Sequence, residues 1–123
     1  MMTSATTSVF AVEAIDDVLV VTPQGTSQSF RYNDIHREAN ALIDRIRREK
    51  AGHLVFDFSG VEILCSIMIN AIIRIARQHD AQKGTSAFCS ASPSMRDVIQ
   101  NMNLTRLWPY FENRDKAVAS FDI

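Results

Sequence analysis

Apolar residues along the chain fall into short β-branched runs and longer periodic stripes, and their alternation predicts the order of elements. Residues 9–14 and 18–22 are two such runs separated by Asp16-Asp17, the composition of strands joined by a tight turn. Pro23 and Gly25 close the second run, and the polar stretch 25–29 reads as a loop. From 32 to 50, Ile35, Ala39, Leu42, Ile43 and Ile46 recur at the spacing of one helical face, and Gly52 is expected to end that helix. Residues 53–58 have the apolar density of a buried strand, and after the connection 59–62 the spacing predicts a helix over 66–81 and a strand over 85–89. Ser92 before Pro93 reads as a helix N-cap with proline at the first helical position, followed by a buried face of Met95, Val98, Ile99 and Met102. Leu104, Leu107 and Trp108 are expected to finish the core, with a short strand at Tyr110-Phe111 and a terminal helix over 114–121. The order β-β-α-β-α-β-α-(β)-α implies an α/β fold: a mixed, mostly parallel sheet of four to five strands with helices packed on it. Residues 9–123 are read as one domain and residues 1–8 as a disordered leader.

The totals narrow the function classes. A chain of 123 residues with 46% hydrophobic residues can bury a core without metal or disulfide staples. A net charge of −1 supplies no basic field for a nucleic-acid backbone. The two cysteines, Cys65 and Cys89, form no C-x-x-C pair, which argues against zinc and against a disulfide framework and fits a reducing cytoplasm. No segment is long and apolar enough to span a bilayer.

Motifs for nucleotide chemistry, G-x-x-x-x-G-K-[ST] and G-x-G-x-x-G, are absent, as is G-x-S-x-G. His36, His53 and His79 share no metal-ligand spacing and read as surface or edge histidines; no metal or other cofactor is expected. The cations Arg45, Arg47, Arg48 and Lys50 crowd the end of the first long helix, where they complement its dipole. The residues that remain are Cys65-Ser66-Ile67-Met68-Ile69-Asn70, where a strand passes into a helix. Ser66 is expected to cap that helix with its hydroxyl. Asn70, Arg74 and Gln78 lie three, seven and eleven residues beyond Ile67, so Ile67 shares their polar stripe and should face solvent. Met68, Ile69, Ile72, Ile73, Ile75 and Ala76 fall on the broad buried side. An exposed isoleucine beside a serine marks a docking surface. A hydrolase reading would instead need a base near Ser66, with His53 and Asp57 as its candidates.

The run Leu54-Val55-Phe56-Asp57-Phe58-Ser59-Gly60-Val61-Glu62-Ile63-Leu64-Cys65-Ser66 resembles the STAS domain family, as found in bacterial anti-sigma factor antagonists. The resemblance covers residues 9–121 and extends to Lys83-Gly84 before the fourth strand, to 92–102 and to 104–108. It implies a non-enzymatic interaction module that binds an anti-sigma factor or serine kinase, with Ser66 on the serine phosphorylated in the family's regulated members. Gly25, Ser27, Cys65, Ser66, Ile67, Met68 and Asn70 would then form the partner surface, and a homodimer is left open. The chain departs from the family pattern at Cys65, where an aspartate is usual, at Ile67, where a small residue is usual, and at Met68 and Asn70, where glycines are usual. These replacements change the electrostatics and the access that a kinase would meet at Ser66. A STAS-like scaffold or lipid-transport subunit that binds constitutively, without phosphorylation, is the alternative.

Overall fold

The computed structural model describes residues 9–24 and 32–121. The proposed leader, together with Gly25 and Ser27, lies outside them. Five strands form one sheet in sequential order: β1 (Phe10–Ile15), β2 (Val18–Pro23), β3 (His53–Asp57), β4 (Thr85–Cys89) and β5 (Tyr110–Phe111). β1 and β2 are an antiparallel hairpin in which Ile15 faces Val18, and β2 through β5 run parallel. The turn is the expected Asp16-Asp17, with Asp16 in the left-handed region at φ 53°.

Each parallel pair is bridged by a helix: α1 (Tyr32–Glu49), α2 (Ser66–Ala81) and α3 (Pro93–Asn101). The strands are added in one direction, and parallel crossovers are right-handed, so successive helices must land on the same face of the sheet. Ile35, Leu42 and Ile46 of α1, Met68, Ile72 and Ile75 of α2, and Met95 and Ile99 of α3 accordingly join one core with Leu19, Val21, Leu54 and Phe56 of the strands. Aromatic packing fixes its centre: the Phe88 ring lies 5.7 Å from Phe56, 5.6 Å from Phe58 and 5.7 Å from Trp108. The opposite face carries Val18, Val20, Val55 and Cys89, and α4 (Arg114–Ala119) covers it through Ala117 and Val118. Arg114 at the start of α4 donates to Asp57 of β3 at 3.2 Å and to Glu13 of β1 at 2.7 Å, and the Phe121 ring stacks 4.3 Å above His53.

Several expectations need correction. α1 ends at Glu49, three residues before Gly52, and Lys50 takes the left-handed conformation at φ 53°. Gly52 is instead a close approach, because a Cβ there would fall 2.2 Å from an oxygen of Asp17, whose other oxygen accepts the Gly52 N–H at 3.0 Å. Met102 and Leu107 were expected in the core but are 43% and 53% exposed. Met102 is the residue just after α3, where the chain turns, and Leu107 ends a 3-10 turn (Leu104–Arg106) that points Leu104 and Trp108 inward. His79 is not a surface histidine: it is buried, and its Nε2 lies 2.9 Å from the carbonyl of Ala51. A carbonyl only accepts, so Nε2 carries the proton and Nδ1 is left as a buried lone pair without a partner.

Candidate functional site

The site is assembled at the carboxyl ends of β3 and β4, the place where an open α/β sheet commonly presents its working residues. Asp57, the last residue of β3, is buried, and its two oxygens are divided between tasks. One accepts the Ser59 N–H at 2.9 Å and so starts a 3-10 turn (Phe58–Gly60); the other receives Arg114. Five residues, Val61 to Cys65, then lead to α2. Leu64 packs into the core while Ile63 is 57% exposed. Ser92 holds this connection from the other side: its hydroxyl donates to the Glu62 carbonyl at 2.5 Å and accepts the Met95 N–H at 3.1 Å. One side chain therefore caps α3, as the sequence suggests, and tethers the loop before α2.

The cap of α2 differs from expectation. The extended residue before the helix is Cys65, at φ −71° and ψ 163°, and its side chain makes no capping bond. Ser66 is already the first helical residue, where its backbone is turned and its hydroxyl is not placed to accept the N–H groups of the next turn. Ser66 is thus exposed, and its hydroxyl has no hydrogen-bond partner among the described residues. The first turn of α2 contains no acidic residue to complement its dipole.

The structure brings Ser66, Ile67 and Asn70 together on the outside of this turn, with Cys65 half-buried beside them and packed against the core. Ile67 is 38% exposed, as its polar stripe predicts, and Asn70 is exposed one turn further on. Met68 does not belong to this surface; it is 2% exposed and fills the core, because it points a third of a turn away from Ile67. Ile63 was missed by the stripe argument, since it precedes the helix and obeys no helical period. Its signal lay in the pair Ile63-Leu64, of which only one side chain can turn inward from an extended connection.

A hydrolytic triad is not assembled from the expected residues. His53 begins β3 and Asp57 ends it, about 13 Å apart along the strand. The His53 Nδ1 is 2.6 Å from the Thr85 hydroxyl, and Asp57 is committed to Arg114 and Ser59. Cys89 lies beneath, buried; burial pushes its thiol up to about 11, so it is protonated at neutral pH. Among the described residues no group of three His, Cys, Asp or Glu side chains could hold a metal ion, and no helix is long and apolar enough to cross a membrane.

Comparison with known proteins bears on the family and the fold. A curated relative is BtrV of Bordetella bronchiseptica, which carries the name of an anti-sigma factor antagonist; it is 23% identical over 110 residues, covering 89% of this chain and 91% of BtrV. Among solved structures, an anti-sigma-factor antagonist (STAS) domain protein from Planctomyces limnophilus superposes with a TM-score of 0.74 at 22% identity, over 90% of this chain and 96% of that one. The Bacillus anti-sigma factor antagonist SpoIIAA, whose structure is known in unphosphorylated and phosphorylated forms, gives 0.75 at 15% identity in the unphosphorylated form, over 91% of this chain and 95% of its own. The STAS domain family model matches residues 9–117, and the chain belongs to the STAS domain family.

Proposed function

We infer that this protein is a non-enzymatic regulatory module of the anti-sigma factor antagonist kind, which binds an anti-sigma factor or serine kinase in the cytoplasm through the start of α2. The observation that carries the reading is the unengaged Ser66 hydroxyl at the first residue of α2, flanked by exposed Ile63 and Ile67. Ile63 and Ile67 supply apolar contact area, with Cys65 and Asn70 beside them. A partner seated there desolvates Ser66. A phosphate on Ser66 adds about −1.5 to −2 charge at a helix N-terminus whose dipole tolerates it, so the fold survives modification. The same charge beside two isoleucines cannot be desolvated cheaply, so the partner is released.

The test combines modification and binding. Incubation with ATP and the serine kinase encoded nearest the gene should add one phosphate mass to the peptide containing Ser66, and Ser66→Glu should weaken binding of that kinase. Ile67→Asp should cost about 2 kcal/mol of binding or more, read by calorimetry. No mass shift together with unchanged binding by Ser66→Glu rejects the switch.

A second reading keeps the surface and drops the phosphorylation: a STAS-like scaffold or lipid-transport subunit with constitutive binding. It is favoured by Cys65 and Met68, because the thiol replaces an acidic neighbour and the Met68 side chain packs inside the helix start where the family pattern has glycine. In that case Ile67→Asp abolishes binding while Ser66→Ala and Ser66→Glu leave it intact.

A further inference from the structure

The outer face of α2 beyond Ile67 is a cationic groove. A hollow of about 240 Å³ between α1 and α2 is lined by His36, Ile67, Asn70, Ala71 and Arg74. It shares Asn70 and Arg74 with a second, shallower hollow of about 370 Å³ that continues along α2 past Ile73 and Arg77 to Ala81. Among the described residues no carboxylate lines either one. The acidic residue of α2, Asp80, is turned away to the indole N–H of Trp108 at 3.0 Å, and Asp44 of α1 lines neither hollow. Arg74 donates through Nη1 to the Asn40 side chain at 2.8 Å, while its Nη2 is shielded from solvent without a partner. Arg77 is exposed and makes no ion pair among the described residues.

An arginine nitrogen that is out of water and unpaired is costly unless an acceptor arrives. Here it stands seven residues from an exposed isoleucine and three from a free arginine. Along the helix this places an apolar anchor at one end and two guanidinium groups about 10 and 15 Å further on. A strip of that length suits a helix of a protein partner rather than a compact phosphate, and the net charge of −1 gives no general attraction for polyanions. We propose that the α1–α2 groove receives an acidic amphipathic helix of the partner, whose apolar side chain seats on Ile67 and whose carboxylates pair with Arg74 and Arg77. Arginine suits this role because its planar fork meets a carboxylate with two parallel bonds. The inference rests on the partner surface proposed above and adds the chemistry that the partner must present.

A synthetic probe tests it without the kinase, so failure of the groove and failure of the regulatory reading are separable. An 18-residue helical peptide of leucine and glutamate, with the two types on opposite sides of its seam, is titrated into the ¹⁵N-labelled protein at about 50 mM salt. Shifts are expected at Ile67, Asn70, Arg74 and Arg77. Affinity should fall about tenfold by about 300 mM salt, and about tenfold in R74Q/R77Q. The same peptide with lysine for glutamate should bind only the charge-reversed R74E/R77E protein. Because Arg74 also braces Asn40, R77Q alone is measured with its thermal melt; a loss confined to R74Q would be structural and would overturn the assignment. No shifts at about 1 mM peptide, or equal binding of both peptides, would also overturn it. Concentration-dependent shifts of the same residues without peptide would replace the partner helix by a second copy of the chain.

Discussion

Gly84 shows how a single residue can be demanded by a neighbour rather than by its own backbone. It follows Lys83, which holds the left-handed conformation at φ 67°, and a Cβ on Gly84 would fall 2.2 Å from the imidazole of His79. The ring cannot step aside, because it is buried and tied to the Ala51 carbonyl. Gly84→Ala should therefore lower stability by about 1–3 kcal/mol in urea unfolding, and His79→Leu should remove much of that sensitivity by releasing the ring's bond. The Lys83-Gly84 pair was legible in the sequence only as part of a family pattern. Its cause was missed because a histidine was read as polar, although His79 lies three, four and seven residues beyond Ala76, Ile75 and Ile72 and so continues the buried face of α2 into its last turn. Ile67 was readable for the opposite reason, lying in the middle of a well-formed stripe with Asn70, Arg74 and Gln78.

At the scale of elements, the described strands and helices lie within one or two residues of their expected bounds. In α1 and α2 this is because the buried face repeats over several turns, whereas β-branched or apolar runs marked the first four strands and the two-residue β5 and six-residue α4 rest on no period. Connections have no such repetition. The 3-10 turn after β3, the uncapped start of α2 at Cys65 and the outward Leu107 all fall in segments too short for a period, where local backbone geometry decides the path. Ser92 is the case in which local and tertiary demands coincide. Its N-cap role was readable from Pro93, but its bond to the Glu62 carbonyl, 30 residues away, was not. Ser92→Ala removes both bonds and should cost about 1–2 kcal/mol. Ser92→Gly, which keeps cap-compatible backbone freedom, should cost less in stability yet still free the loop. Hydrogen exchange at Ile63 and Leu64 should accelerate in both variants; unchanged exchange would mean that the tether does not hold the loop.

Across the whole molecule, the two sheet faces are closed by different means. Three helices bury a continuous apolar core on one face, whereas the other relies on the short α4, six residues long, held by Arg114 and by the stacking of Phe121 on His53. A helix of that length has little stability of its own, so its docking depends on those contacts. The Asp57 side chain is only 5% exposed and that of Arg114 is 35% exposed, and the two carboxylates beside it hold the guanidinium still more firmly protonated. Arg114→Met leaves Asp57 as a buried charge with one fewer partner and should cost about 2 kcal/mol, tempered by the exposure of Arg114. Adding Asp57→Asn to that variant should recover part of the loss, because no unpaired charge is then left buried. A double variant no more stable than Arg114→Met alone would show that Asp57 acts through Ser59 rather than through Arg114.

The bond from Arg114 back to Glu13 joins positions 101 residues apart, nearly the length of the described chain. During synthesis the hairpin and the three bridged strands emerge first and can bury their helices in order, each with the strand beside it. The back of the sheet stays open throughout that time, with Val18, Val20 and Val55 bare. α4 follows every strand in the chain, so a nascent chain stalled after β5 is a sticky, half-covered intermediate that chaperones would recognise.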